Sequence, residues 1–305
     1  MSRAIRFGVH TPLQNSSVPQ LRAVWERVDA TPCFDWVSVW DHLGSLVGTA
    51  HNLEAVAMHA ALATSTARVR CACLVYSAGY RPPLVLASAI ATIDHLSAGR
   101  AVLGLGAGYL ASEYEAQGLR LPSPAERSVL LAETVVVMRS LLDGDEVWFD
   151  GEQVQLTAAR CAPRPLQDRL PIVVGGGGER RTIPLAGRFA DGWNVPMASP
   201  TEAARKIALL RVAEAAADRL RGSVEATLNV GLCFDTDAGP DRYGARWDVL
   251  RVAVLTGSTQ QVVETVAAYV DAGADRLMLS LRAPYDGQVH DELDRFAAEI
   301  APVFF

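Results

Sequence analysis

Asp41 and His42 close an apolar run, Ser38-Val39-Trp40-Asp41-His42-Leu43. An imidazole beside a carboxylate at a strand exit is equipped to donate a proton or to hold a polarised group. The competing reading of the pair is a helix-capping Asp next to a packed His. A second cluster, Gly104-x-Gly106-x-Gly108-Tyr109, ends the apolar stretch Ala101–Leu105. Glycine lets a flat ligand approach the backbone closely, so Ala107 and Gly108 are candidates for a cofactor-binding edge. Tyr109 is either a hydroxyl donor facing substrate or a pocket wall. A third cluster is Pro171-Ile172-Val173-Val174 followed by Gly175, Gly176, Gly177, Gly178 and Glu179. Backbone N–H groups and the dipole of a following helix favour a phosphate there. A plain strand-to-helix turn would need only one or two of these glycines. His10 ends one apolar run and Arg282 follows another, which makes each either a substrate contact or a satisfied structural residue.

Other readings of these residues fail on context. The frame Gly106-Ala107-Gly108-Tyr109-Leu110-Ala111 fits a relaxed dinucleotide fingerprint. The acidic residue that should end a second strand about 20 positions on falls instead in Leu130-Leu131-Ala132-Glu133-Thr134, mid-helix by pattern. His51, His59, His95 and His290 lie on helices or loops without metal-type spacing, so no metal site is expected. Cys33, Cys71, Cys73, Cys161 and Cys233 are odd in number, and Cys71 and Cys73 form C-x-C on one strand. Reduced thiols in a cytoplasmic protein are the expectation.

The elements that must position these residues alternate. Apolar strand-like runs are expected at Ile5–His10, Trp36–Trp40, Val69–Val75, Ala101–Leu105, Pro171–Val174, Gly192–Val195, Ala226–Phe234 and Arg276–Ser280. Between them the pattern predicts helices at Gln20–Asp29, Leu53–Thr64, Leu84–Leu96, Glu126–Leu142, Glu179–Phe189, Thr201–Arg221 and Thr259–Ala272, with Glu292–Ala301 closing the chain. Strand–helix alternation argues for a parallel α/β sheet, and eight units for a closed (β/α)8 TIM barrel, in which the site lies at the C-terminal strand ends. Residues 144–169 hold Asp150-Gly151, a hairpin signal, and read as an insertion before strand five. Residues 236–247 read as an insertion after strand seven, a mobile lid. A single domain over 1–305 is expected.

Half the residues are hydrophobic and 20% are charged, enough for a large core. The net charge of −6 carries no basic footprint for nucleic acid or for an anionic membrane surface. Met1–Val9 has no apolar run of signal-peptide length, and no stretch is long enough to span a bilayer. Lys206 is the only lysine among 28 basic residues; so Arg-rich a chain fits a GC-rich, actinobacterial source.

Three stretches carry a resemblance. One runs from Arg81 through Pro82-Pro83 and Gly99-Arg100 to Ala101-Val102-Leu103-Gly104-Leu105-Gly106-Ala107-Gly108-Tyr109. A second is the glycine segment continuing through Thr182-Ile183-Pro184-Leu185-Ala186-Gly187-Arg188-Phe189-Ala190-Asp191-Gly192-Trp193-Asn194. The third joins Leu255–Val262 to Ala272-Gly273-Ala274-Asp275-Arg276. Over Phe7 to about Leu281 the chain resembles the luciferase-like flavin and deazaflavin oxidoreductases. The resemblance implies a TIM barrel in which Gly175–Gly178 hold the phosphate of the cofactor tail. It implies a non-proline cis bulge at Cys73–Leu74 backing the cofactor ring. The Asp41-His42 pair is similar to the branch using coenzyme F-420, a deazaflavin that transfers hydride, with His42 moving a proton or stabilising charge and Asp41 orienting it. Relatives in that branch can carry a catalytic Glu where this chain has Tyr109, which supplies no carboxylate at neutral pH; this departure speaks against sugar-phosphate dehydrogenation. The implied activity is hydride transfer between coenzyme F-420 and a small organic substrate. The alternatives are a two-component monooxygenase using reduced FMN and a non-catalytic flavin-binding barrel. A homodimer, and a flavin or F-420 reductase as the source of reduced cofactor, are family expectations.

Overall fold

The computed structural model describes residues 5–44 and 51–305. Its strands are β1 (Arg6–His10), β2 (Phe34–Val39), β3 (Arg70–Ser77), β4 (Ala101–Gly106), β5 (Glu146–Asp150), β6 (Gln155–Arg160), β7 (Ile172–Gly175), β8 (Gly192–Pro196), β9 (Glu225–Leu232), β10 (Val254–Leu255) and β11 (Arg276–Ser280). The helices are α1 (Val18–Ala30), α2 (Ala55–Ser65), α3 (Pro83–Leu96), α4 (Ala111–Ala116), α5 (Pro124–Asp143), α6 (Thr182–Phe189), α7 (Pro200–Ala216), α8 (Gly239–Tyr243), α9 (Trp247–Leu250), α10 (Thr259–Asp271) and α11 (Gly287–Arg295).

Eight parallel strands run in the order β1-β2-β3-β4-β7-β8-β9-β11, and pairing of β11 with β1 closes the ring. The chain is therefore the expected TIM barrel. Both insertions are present. β5 and β6 form an antiparallel hairpin before β7, at the Asp150-Gly151 signal. The Glu133 carboxylate of α5 accepts from the N–H groups of Glu152, Gln153 and Val154 and holds its turn. The segment after β9 is helical, containing α8 and α9, and returns through β10, a two-residue strand against β9 that the sequence pattern does not reveal. α6 begins at Thr182 rather than Glu179, so the loop after the glycines is one turn longer than expected. Among the described residues no helix is long and apolar enough to cross a membrane.

Strand alternation sorts the core. Outward residues such as Phe7, Val9, Val37 and Leu103 join the layer between sheet and helices. Trp36, Ala72, Leu74, Val102, Val173 and Met278 pack inside the barrel. The register of β3 against β4 slips between Cys73 and Tyr76. The non-proline cis peptide lies at Leu74–Val75, one residue beyond the expected Cys73–Leu74. The slip directs Val75 toward three glycines. A Cβ at Gly106 would sit 2.5 Å from Val75 Cγ2, and Cβ atoms at Gly175 and Gly104 would sit 2.6 and 3.0 Å from its Cγ1. These glycines are required by a neighbouring side chain.

A methyl group at Gly106 must therefore compete with Val75 for one space. Gly106→Ala is expected to lower stability by about 1–3 kcal/mol, the usual cost of overpacking. Adding Val75→Ala should recover part of that loss. Urea unfolding of both single variants and the double variant checks this, and strict additivity would show that the two groups do not share the space.

Candidate active site

A cavity of about 400 Å3 opens at the C-terminal ends of the barrel strands. Strand period two sets its floor. His10, Asn194, Asn229 and Ser280 each lie two residues beyond an inward position on their strand, and all line the cavity. Asn194 Nδ2 donates to Asn229 Oδ1 at 2.9 Å. His10 Nδ1 lies 2.8 Å from Ser38 Oγ. Leu74 and Val75 form part of the wall, with Gly106, Ala107, Gly108, Gly175 and Gly176 beside them. Gly108 has φ +68° and Gly176 φ +123°, conformations that favour glycine.

Asp41 and His42 diverge, as successive residues leaving a strand do. Asp41 is buried and accepts a bidentate fork from Arg81, at 2.8 and 2.9 Å, and the Ser77 N–H at 2.9 Å. It ties the β2 exit to the β3 exit and to the start of α3. The expectation that Asp41 orients His42 is thus corrected: its oxygens are committed to Arg81 and Ser77. The carboxylate that meets His42 belongs to Glu113, on α4. His42 Nδ1 lies 3.2 Å from both Glu113 oxygens. Glu113 also accepts from Tyr80 Oη at 2.6 Å and from the N–H groups of Leu43 and Gly44 at 2.7 and 3.1 Å. Burial alone would raise this acid's pKa; the donors from Tyr80 and Gly44, with His42, outweigh it and hold the pKa below its ordinary value.

Trp40 stands edge-on to His42, ring centroids 4.8 Å apart, and donates to Asn52 Oδ1 at 2.9 Å. Tyr109 lines the mouth, 63% exposed, with its ring 6.0 Å from that of His42. Partial burial and the Glu113 charge raise its pKa, so it remains a hydroxyl donor. Arg282 and Arg246 line the cavity from the β11 exit and from the segment after β9.

Cys73 is fully buried in the outer layer and does not line the cavity. The register slip places Leu74 and Val75 there instead, so Cys73 is removed from the candidate set. Gly177 and Gly178 also lie outside the cavity lining. Lys206 Nζ donates to Gly177 O at 2.7 Å, and Arg205 pairs with Glu179 at 2.6 Å. The N–H groups of Gly177 and Gly178 donate to no described residue. A second cavity, about 480 Å3, lies between α5 and α6 and shares Ala107 with the first.

Sequence reasoning missed Glu113, Tyr80, Arg81, Asn229 and Arg246. Glu113 left one weak signal, an acid in the first turn of a short helix one turn after Tyr109. Among the described residues no cluster of His, Cys, Asp or Glu could hold a metal ion.

A family model described as luciferase-like monooxygenase matches residues 33–239. An uncharacterized protein of Mycobacterium tuberculosis is 33% identical over 213 residues, 70% of this chain and 72% of its own length. The F-420-dependent glucose-6-phosphate dehydrogenase of Kineococcus radiotolerans is 27% identical, covering 93% of this chain and 90% of that protein. An F-420-dependent secondary alcohol dehydrogenase in complex with an F-420–acetone adduct superposes with a TM-score of 0.86 at 20% identity, over 98% of this chain and 99% of that one. The FMN complex of the oxygenating constituent of 3,6-diketocamphane monooxygenase from Pseudomonas putida gives 0.77 at 16%, over 99% of each chain. At these identities the solved structures share the fold.

Burial first, then the charges of Arg282 and His42, lowers the His10 pKa to about 3. The unfolded chain binds a proton here near pH 6.5 while the folded chain does not, so His10 contributes stability above pH 6.5 that is lost as pH falls toward 3. Replacing His10 by Gln is expected to shrink the stability lost between pH 7 and pH 5 by about 1–2 kcal/mol. Urea unfolding at the two pH values measures this; an unchanged difference would mean that His10 protonates within the fold.

Proposed function

The chain belongs to the luciferase-like monooxygenase family, and from that premise we propose that it is an oxidoreductase moving a hydride between coenzyme F-420 and a small organic substrate. The observation that carries this reading is the imidazole of His42, held by Glu113 on the wall of a cavity backed by Leu74–Val75. The cavity suits a ring with a phosphate-bearing tail. Gly108 and Gly176 present no side chain to it, the uncommitted N–H groups of Gly177 and Gly178 follow directly, and Ala107 joins it to the second cavity. The near full-length similarity to an F-420-dependent dehydrogenase supports this choice of cofactor.

When bound, coenzyme F-420 accepts or supplies the hydride. The protein's part is orientation and proton transfer. With the Glu113 carboxylate accepting at Nδ1, the neutral His42 ring keeps its proton there and leaves Nε2 free as a base. A substrate alcohol that loses a hydride from carbon gives its hydroxyl proton to Nε2. In the reverse direction the imidazolium returns that proton to the carbonyl oxygen. Each reductive turnover consumes one hydride, so a separate F-420 or flavin reductase must renew the cofactor. Glu113 is a positioning residue whose oxygens are committed to Tyr80, His42 and the Leu43 and Gly44 N–H groups, and Tyr109 brings a hydroxyl, not a carboxylate, to the cavity mouth. Glucose 6-phosphate is therefore not the substrate we propose. The likeness to an FMN-bound monooxygenase supports a second reading, oxygen activation on reduced FMN.

We also propose a homodimer built on α2 and α3. Their exposed residues Ala57 and Thr64 on α2 and Val85, Ser88 and Thr92 on α3 carry no charge, and Val85 is 57% exposed. A helix face without charged side chains suits contact with another surface. The five free cysteines fit a reducing cytoplasm.

Fluorescence titration with coenzyme F-420 and with FMN is expected to give tight F-420 and weak FMN binding. The reverse order, with oxygen-dependent product formation, would replace the first reading by the second; binding without turnover across a broad substrate screen would leave a non-catalytic barrel. Changing His42 to Ala should preserve F-420 affinity and cut turnover by about 10²–10⁴-fold, the usual worth of a positioned acid–base group. Glu113→Gln should lower kcat less and displace its pH profile; a stability loss with an unmoved profile would make Glu113 structural only. Val85→Arg should shift sedimentation from dimer to monomer.

A further inference from the structure

The cavity walls carry two acids and two arginines, and the protein treats them unequally. The acids lie on the β2 and β4 side and are saturated. Asp41 takes the Arg81 fork, and Glu113 takes Tyr80, His42 and two backbone N–H groups. Arg282, at the β11 exit, and Arg246, whose charge reaches Tyr109, form no ion pair with any described residue. Residues 1–4 and 45–50 contain no Asp or Glu, so no side-chain counter-ion comes from them. Arg282 Nε is buried without a hydrogen-bond partner. Its guanidinium lies 5.1 Å from the Tyr243 ring centroid, a contact that steadies the side chain and leaves its charge unanswered. Arg282 is half-buried and Arg246 exposed, so the first is held partly out of water with no carboxylate or phosphate to receive it. The neighbouring cavity residues Ser280 and Asn229 are neutral, as is His10 at physiological pH, lowered by burial and by this same arginine.

Position separates Arg282 from the cofactor tail. In the ring β1-β2-β3-β4-β7-β8-β9-β11, the glycine segment leaves β7 and the second cavity is reached from Ala107 after β4. β11 lies three strands from β7 in one direction and four from β4 in the other, across the barrel. Arg282 therefore faces the part of the cavity left to the substrate. We propose that Arg282, with Arg246 from the segment after β9, binds an anionic oxygen group of the substrate, a carboxylate or a phosphate. The enzyme would then act on small organic anions, with the reacting carbon held toward His42. This inference rests on the oxidoreductase reading only for what happens to the bound anion.

Benzoate, phenyl phosphate and the neutral benzamide, titrated calorimetrically into the full chain with and without saturating coenzyme F-420, test the proposal. At least one anion is expected to bind about tenfold to a hundredfold more tightly than benzamide, the worth of a charge-assisted hydrogen bond. The tighter of the two identifies the group. Arg282→Ala should erase the preference and Arg282→Lys should retain part of it, while Arg251→Ala, an exposed arginine outside the cavity, should leave it intact. Equal binding of benzamide and both anions overturns the proposal, as does a preference that survives Arg282→Ala. If Arg282→Ala weakens F-420 binding by the same factor, the arginine serves the cofactor and the proposal also falls. If F-420 fails to bind while the anion preference and its dependence on Arg282 persist, the cofactor reading falls and this one stands.

Discussion

The seating of Val75 is the constraint on which the rest of the site depends. A parallel barrel of eight strands is a closed, filled object, and a register slip in one strand must be absorbed by its neighbours. Here β4 and β7 absorb it by giving up side chains at Gly104, Gly106 and Gly175, where any Cβ would meet Val75 or the Cys73 carbonyl. That concession brings Leu74 and Val75 to the cavity wall. It also leaves the β4 and β7 exits as bare backbone, the surface a flat ring needs.

Electrostatic economy then shapes the mouth. Buried carboxylates persist in folds when donors satisfy them, and Asp41 and Glu113 are each surrounded by such donors. Asp41 is spent on architecture, joining the exits of β2 and β3 through Arg81 and Ser77. Glu113 closes the chain segment after His42 and orients its ring at once, so loop conformation and imidazole geometry are one property. Arg282 from the β11 exit and Arg246 from the segment after β9 have no such partners, so the cavity combines saturated acids with unpaired cations. In the proposed hydride transfer this asymmetry would admit the substrate in one orientation.

Two neighbouring residues show how much of the site was legible. His42 was visible as an imidazole at a strand exit, and strand periodicity placed His10 at the barrel mouth. Adjacency in sequence points to Asp41 as the partner of His42, yet the Asp41 oxygens are taken by Arg81 and Ser77, and Glu113 arrives from 71 positions on. Cys73 failed by one residue, since a register slip leaves no trace in composition. Arg246 carries no signal in the sequence because an arginine in a loop is ordinarily solvated.

By itself the sequence determined the barrel, its strand order, both insertions and the end of the barrel at which chemistry sits. Those follow from hydrophobic period, turn residues and chain continuity, all local along the chain. Only the tertiary structure decided which carboxylate serves His42, which residues of β3 reach the cavity, and which arginines remain without counter-ions. These depend on pairing and register between residues far apart in the sequence, which the closing of the ring settles.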